Sequence, residues 1–184
     1  MKRVIILIIL SAFYLVKTDA QSVALKSNAL YWGAAVPNLE AEVALNNRFT
    51  LDVSVNYNPF SISETKKWKL LSVQPELRYW LCQDFAGHFV GVHALAGEFN
   101  VGGVDLGDLK DHRIQGNAVG AGISYGYHWI LSPRWGIEAT LGLGYIHFKY
   151  DKYVCEHCGQ KVGSYNKDYY GPTKVGLSLV YLIE

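Results

Sequence analysis

The chain has 184 residues, of which 50% are hydrophobic and 18% are charged, and its formal net charge at pH 7 is +1. This composition excludes a disordered chain, which needs low hydrophobicity and a high net charge, and the near-neutral balance argues against nucleic-acid binding. The longest charge-free apolar run, Val4–Val16, is shorter than the roughly 18 residues that a spanning helix requires. The chain is therefore apolar without a predicted transmembrane helix.

Residues 1–20 have the layout of a secretory signal peptide. Lys2 and Arg3 supply the positive charge, an apolar stretch follows, and Ala20 is the small residue before the expected cleavage point. A short buried helix is the alternative interpretation. Cleavage after Ala20 would leave residues 21–184 as one mature domain outside the cytoplasm, where disulfides are permitted.

Beyond the predicted signal peptide, apolar and polar residues alternate with a period of two, which indicates β-strands with one apolar face. The clearest example is Phe49–Asn58, in which odd positions are apolar and even positions are polar. An irregularity in the fifth predicted strand indicates a β-bulge there. The alternation predicts eight strands, at residues 25–35, 39–46, 49–58, 71–81, 88–99, 119–129, 135–145 and 174–183.

The connections between these strands alternate in length. Tight turns are predicted at residues 46–48, 83–87 and 132–134, and long polar loops at residues 59–69, 102–113 and 151–168. The first connection, near Pro37, is short where a long loop is expected. Short turns at one end and long loops at the other are typical of an outer-membrane β-barrel.

Aromatic residues cluster at both ends of the predicted strands, as the two girdles of a membrane barrel require. The ends with short turns carry Phe49, Tyr79, Trp80, Phe89, Trp129, Trp135 and Tyr181. The ends with long loops carry Tyr31, Trp32, Tyr57, Phe60, Trp68, Phe99, Tyr145, Phe148 and Tyr150. We therefore predict an all-β fold, an eight-stranded antiparallel up-and-down transmembrane β-barrel in the outer membrane of a Gram-negative bacterium. A soluble β-sandwich is the alternative, because its strands also alternate.

If the apolar face meets lipid, the polar face of the strands lines the lumen. The predicted lumen charge network consists of Glu40, Glu42, Asp52, Glu76, Arg78, Glu138 and Lys174. Because side chains fill the interior of an eight-stranded barrel, we expect this network to plug the lumen. A proton or ion path along the same residues is the alternative.

Cys155 and Cys158 form a C-x-x-C turn in the longest predicted loop. The turn resembles half of a zinc knuckle, but a structural zinc site needs four ligands. Because an exported loop permits oxidation, we predict a disulfide between the two cysteines, with zinc binding as the alternative. Cys82, near a predicted short turn, is expected to be a free and partly buried thiol.

Ser124, His128 and Glu138 lie on neighbouring predicted strands and allow comparison with a hydrolase triad. Ser124 and His128 lie on one strand, however, about 13 Å apart at about 3.3 Å per residue. That separation prevents direct contact between nucleophile and base. We therefore predict that the protein is not an enzyme and requires no cofactor.

Several sequence blocks match a known family pattern. They are Asn56-Tyr57-Asn58-Pro59, the segment 74–80 with sequence Gln-Pro-Glu-Leu-Arg-Tyr-Trp, the segment 122–129, Tyr150-Asp151-Lys152-Tyr153, and the segment 170–174. In these blocks the chain resembles the bacterial domain-of-unknown-function 3575 family. The resemblance implies a small outer-membrane barrel with a signal peptide, often described beside fimbrial or pilus assembly genes, and it supplies no catalytic motif.

Together these features predict a non-enzymatic surface or accessory protein with a role in adhesion or fimbrial assembly. The expected partners are outer-membrane lipid, lipopolysaccharide contacted by the basic segment 66–69, and surface or fimbrial proteins bound through loops 59–69, 102–113 and 151–168. The alternatives are a purely structural barrel that stabilises the membrane and a lipid-modifying enzyme.

Overall fold

The computed structural model describes residues 22–59, 67–102, 113–154 and 161–183. The predicted signal peptide, the predicted disulfide of Cys155 and Cys158, and Phe60 lie outside the described residues. The strands are β1 Val23–Asn28, β2 Asn38–Ala44, β3 Phe49–Asn58, β4 Lys67–Trp80, β5 Gly87–Gly102, β6 Arg113–Ile130, β7 Trp135–Tyr153 and β8 Lys161–Ile183, and a short helix, α1, spans Ala29–Gly33.

The eight strands close into a barrel in which each strand pairs with the next in sequence. All pairs are antiparallel, and β8 returns to β1, where Val23 pairs with Ile183 and Asn28 with Ser178. Closure pairs the two edge strands of the sheet, β1 and β8, over residues 23–28 and 178–183, as a membrane barrel does to protect its edges. The predicted eight-stranded antiparallel up-and-down barrel is confirmed.

The apolar side chains face outwards and the polar ones face the lumen. Large apolar side chains such as Val92 and Ile123 are 64% and 67% exposed on the exterior. By contrast, Glu42 and Arg78 are fully buried inside. A β-sandwich buries its apolar faces between two sheets, so the sandwich alternative is wrong.

Three short connections lie at one end of the barrel, which we call the turn end; the opposite end is the loop end. In the first short turn, the Asn46 side chain accepts hydrogen bonds of 2.9 Å from the backbone N–H groups of Arg48 and Phe49. Such Asx turns need a short polar side chain at this position. The chain begins β1 and finishes β8 at the same end, because these strands pair there.

Several predicted boundaries at the loop end are wrong. β4 begins at Lys67, inside the predicted loop 59–69, and β6 begins at Arg113 rather than at residue 119. The first strand stops at Asn28 rather than continuing to residue 35, because the Asn28 side chain caps α1 by accepting from the Leu30 N–H at 3.0 Å. The predicted loop 151–168 is largely strand, since β7 continues to Tyr153 and β8 begins at Lys161. The part of this hairpin that extends beyond the apolar exterior of the barrel is mostly polar on both faces. Its sequence therefore lacks the apolar–polar alternation of the other strands and predicts a loop.

The predicted bulge in the fifth strand is also wrong, because β5 keeps one register with β6 along its whole length. The irregularity near the middle of the barrel lies in β8, where the partner of Gly142 is Lys174 and that of Leu143 is Pro172. Thr173 is thus an extra residue between two paired ones. Because the bulge shifts the alternation by one residue, the lumen-facing residues of β8 are odd-numbered before it and even-numbered after it.

The exterior aromatic residues form clusters near both ends of the barrel. At the turn end Trp135 and Tyr181 have ring centroids 4.9 Å apart, and at the loop end Tyr145 and Tyr170 lie 5.0 Å apart. Several predicted girdle residues instead line the lumen or its cavities. These are Tyr31, Trp68, Trp80, Phe89, Phe99 and Phe148.

Candidate functional site: the barrel lumen

The lumen contains three layers along the barrel axis. Apolar side chains close the turn end, a charged layer fills the middle, and a mainly apolar cavity occupies the part nearer the loop end. The polar-face prediction therefore holds for the middle of the lumen, whereas apolar residues line much of the rest.

The turn-end layer is built around Trp80, which is fully buried. Its ring lies 4.8 Å from that of Phe89 and 6.0 Å from that of Phe85, centroid to centroid. The indole N–H donates to the Thr50 hydroxyl at 2.9 Å. Ala24, Ala44 and Val180 complete the cluster and close this end with apolar side chains.

Arg78 lies at the centre of the charged layer. Its guanidinium group contacts four carboxylates: Glu42 at 2.8 Å, Glu138 at 3.0 Å, Asp52 at 3.2 Å and Glu76 at 2.8 Å. Arginine suits this position because its planar group presents five N–H donors and stays charged. One cation thus joins side chains from β2, β3, β4 and β7.

The Arg78 guanidinium also lies over the ring of Phe89, 4.4 Å from its centroid. This geometry is a cation–π contact. It connects the charged layer to the apolar layer below it.

Two lysines hold the flanks of the charged layer. Lys26 contacts Glu138 at 2.6 Å and also pairs with Glu42. Lys174 lies 2.6 Å from Glu76 and 3.3 Å from Asp52. The layer therefore links β1 and β8 to the middle strands across the lumen.

Hydroxyl groups donate to three of the carboxylates. Ser124 donates to Glu76 and Thr140 to Glu138, each at 3.0 Å, while Thr50 donates to Glu42. Buried carboxylates need such donors because their lone pairs have lost water.

The structure brings six of the seven predicted network residues into direct ion pairs, namely Glu42, Asp52, Glu76, Arg78, Glu138 and Lys174. Glu40 is 3% exposed and forms no ion pair with any residue that the structure describes. Lys26 was missing from the prediction. It follows the apolar Leu25, so the alternation of β1 carried the signal that it faces inwards.

The charged layer contains more carboxylates than cations among the described residues. Three basic side chains, Lys26, Arg78 and Lys174, face five acidic ones, which are Glu40, Glu42, Asp52, Glu76 and Glu138. With every group ionised, the layer carries two surplus negative charges. Such a surplus in a buried region opposes the folded state.

The three residues compared with a hydrolase triad are engaged separately. Ser124 donates to Glu76, and Glu138 is bound by Arg78 and Lys26. His128 is buried beside Trp80, and neither ring nitrogen has a hydrogen-bond partner within the described ranges. These contacts do not form a nucleophile–base pair.

The described residues contain no cluster of three or more His, Cys, Asp or Glu residues that could hold a metal ion. Cys82 is a free cysteine, as predicted, but it is exposed rather than partly buried. Cys82 lies just after the end of β4 at the turn end, and the side chain that fills the lumen there is that of its neighbour Trp80.

At the loop end, β6, β7 and β8 extend as a polar sheet. Lys161 pairs with Asp151 at 2.9 Å, and Ser164 donates to the same carboxylate at 2.7 Å. These hydrogen bonds, first from Lys161 and then from Ser164, lower the pKa of Asp151. Tyr150 and Tyr165 stack with centroids 5.8 Å apart.

Comparison with known proteins places this barrel in a family. The model of the family described as "Protein of unknown function (DUF3575)" matches residues 4–183. The chain belongs to this family. The family resemblance in the sequence blocks is thereby confirmed over nearly the whole chain.

Among solved structures, the chain is similar to the crystal structure of Neisserial surface protein A, with 19% sequence identity and a TM-score of 0.40. The match covers 89% of this chain and 94% of that one. A comparison with curated proteins found no match. Within the described residues, no helix has the length and apolar character needed to cross a membrane.

Proposed function

We propose that this protein is a non-enzymatic outer-membrane β-barrel that presents a surface for protein partners in adhesion or fimbrial assembly. The membrane position is supported by the exterior, where residues such as Leu39 and Val92 are 59% and 64% exposed. From Trp135 to Tyr145, about 33 Å of strand at about 3.3 Å per residue gives about 25 Å of height when tilted, which matches the apolar band of outer-membrane barrels.

The observation that carries the surface role is the one-sided length of the last strands. A transmembrane strand needs about 9–11 residues, whereas β6, β7 and β8 have 18, 19 and 23. Trp135 and Tyr181 pair at the turn end, so the surplus residues project at the loop end. On this proposal an ordered polar sheet lies outside the membrane, where it is accessible to partners and lipopolysaccharide.

The contents of the lumen support a role that does not depend on transport or catalysis. The turn-end cluster and the charged layer close the turn end and the middle of the lumen, as side chains usually do in eight-stranded barrels. Of the candidate triad residues, Ser124 and Glu138 bind other groups, and His128 is buried beside Trp80. We therefore assign function to the projecting sheet and the loops.

The test is to shorten the projecting β7–β8 hairpin without changing the barrel register. Lys149 pairs with Asn166, so residues 150–165 are replaced by an Asn-Gly turn, which suits a two-residue hairpin. Crosslinking in intact cells, followed by pull-down through a tag in loop 102–113, should recover partners with the full-length protein and lose them with the short variant. Heat-dependent gel mobility checks that both barrels are folded.

Unchanged partner recovery with the short, folded variant would contradict the proposal. A second function, structural stabilisation of the envelope, is favoured by the ion pairs that join strands across the lumen. In that case gene deletion should sensitise cells to detergent, and the short variant should restore resistance fully. An altered lipid profile in the deletion strain would instead support a lipid-modifying enzyme.

A further inference from the structure

We propose that the cavity in the loop-end half of the lumen binds a medium-length apolar molecule that carries one hydroxyl group. This goes beyond the surface role proposed above and does not depend on it. The cavity has a volume of about 350 Å³, which lies within the range of about 300–1,000 Å³ of small-molecule sites.

Much of the cavity wall is apolar, although Ser72, Gln74 and Thr173 also line it. Trp68, Leu70, Leu95, Phe99 and Phe148 all line it. They come from β4, β5 and β7, at positions that face the lumen in the strand alternation. A lumen filled only with water would favour polar walls, as in the water-filled interior of larger barrels.

One buried polar group on the cavity wall lacks a partner. Asn56 is 4% exposed and lines the cavity. Its Nδ2 donates to the Ser72 hydroxyl at 3.0 Å, whereas its Oδ1 has no hydrogen-bond partner in the described part of the chain. An unsatisfied buried acceptor costs roughly 1–3 kcal/mol. Oδ1 is itself closed to water-sized molecules, so a ligand hydroxyl would satisfy it once the Asn56 amide turns towards the cavity.

The floor of the cavity separates it from the charged layer. Gln74 donates to the backbone oxygen of Thr173 at 3.4 Å, and the Thr173 hydroxyl lies 2.8 Å from His93 Nε2. A Cβ atom at Gly122 or Gly142 would come within 2.9 Å of the His93 ring. These glycines therefore make room for the imidazole that, with Thr173, closes the cavity from below.

The chemistry of the walls and of Asn56 together defines the ligand class. The cavity volume equals that of about a dozen water molecules at roughly 30 Å³ each. It accommodates an aliphatic chain of about that volume but not a large lipid. Each buried methylene contributes about 0.8 kcal/mol. The probe is 1-octanol, and its isomer heptyl methyl ether is the matched ligand that cannot donate a hydrogen bond.

Methyl NMR of the protein in lipid nanodiscs distinguishes cavity binding from partition into lipid. Titration with 1-octanol should give saturable shifts at the lumen methyl groups of Leu70, Leu95 and Val101. The exterior methyl groups of Leu71 and Val92, which are 45% and 64% exposed, should respond without saturation. Lumen methyl groups that do not shift, or that follow the exterior ones, would overturn the proposal.

Two variants test the site itself. Ala118→Phe fills the cavity wall, and Val119→Phe adds the same ring to the exterior of the same strand, where the side chain is 52% exposed. Ala118→Phe should weaken binding about tenfold or more, because displacing roughly two methylenes has that effect. Val119→Phe should bind like the wild type. Equal binding by both folded variants would contradict the site.

Asn56→Leu should retain apolar binding and remove the preference for 1-octanol over heptyl methyl ether. A preference that persists in this variant would contradict the assigned role of Asn56. Should Ala118→Phe not fold, the comparison of lumen with exterior methyl groups and the Asn56 variant still decide the proposal.

Discussion

Arg78 is the residue on which the charged layer depends. It is fully buried and contacts four carboxylates. Removing the cation while the carboxylates remain leaves buried charges without compensation, which typically costs about 3–5 kcal/mol. We expect Arg78→Met to lower the free energy of unfolding by about that amount, measured by urea titration of the barrel in lipid vesicles.

Glu40→Gln provides the matched control for this prediction. Glu40 is equally enclosed but forms no ion pair with the described residues, and it belongs to a layer with surplus negative charge. Its neutral isostere should leave stability within about 1 kcal/mol of the wild type or raise it. A loss as large as that of Arg78→Met would show that the layer needs all five negative charges.

The bulge at Thr173 accommodates one extra residue in β8, so that the residues on its two sides keep their register with β7. Below it Lys174 and Ser178 point inwards, and above it Tyr170 is 78% exposed on the exterior. A one-residue slip moves every side chain of a strand to the opposite face. Because Thr173 is the unpaired extra residue, its deletion causes no such slip, and Pro172 stays opposite Leu143 and Lys174 opposite Gly142. We therefore expect the deletion variant to keep Tyr170 on the exterior and to assemble, seen as retained heat-dependent gel mobility.

Thr173→Ala keeps the chain length and loses only the hydroxyl contact with His93. It should assemble normally, with a cost of about 1 kcal/mol for one hydrogen bond. Loss of assembly in the deletion variant would contradict the identification of Thr173 as the extra residue of the bulge.

The projecting β7–β8 hairpin should respond to acid through Asp151. Its pKa is lowered from the ordinary value of 3.8 by Lys161 and Ser164, so the carboxylate stabilises the hairpin fully above that value and loses its effect as pH falls through the lowered pKa. Hydrogen exchange at the Ser164 amide should accelerate in that acidic range. Asp151→Asn should exchange faster at neutral pH with little further acid dependence, and an unchanged rate would contradict this ion pair.

The alternation in the sequence was sufficient to predict the barrel and the middle of its lumen. A period of two specifies which residues share a face, so Glu42, Asp52 and Arg78 could be placed inside together. Lys26 could also have been found in this way. The same rule predicts which residues of β6 and β7 lie on the exterior of the barrel.

The predictions that fail concern residues whose chemical type suggests one location and whose position in the strand gives another. Phe99 and Phe148 were interpreted as girdle residues because they are aromatic and near strand ends, yet their register directs them into the cavity. Residues 161–168 were interpreted as loop because the strand leaves the apolar band and no longer needs one apolar face. Neither feature can be recognised from a short stretch of sequence, since both depend on the register of the strand and on how far it extends beyond the apolar exterior of the barrel.

The position of the whole barrel in lipid can be tested with two matched substitutions. Ile123 is 67% exposed near the middle of the exterior belt, and Val162 is 47% exposed on the projecting hairpin. An arginine at the bilayer midplane of a barrel costs about 2–4 kcal/mol, and close to none in water. Ile123→Arg should therefore lower the unfolding free energy in vesicles by about that amount, while Val162→Arg should leave it unchanged. Equal effects of the two substitutions would mean that lipid does not surround the belt, because a water-exposed exterior would accept arginine at both positions.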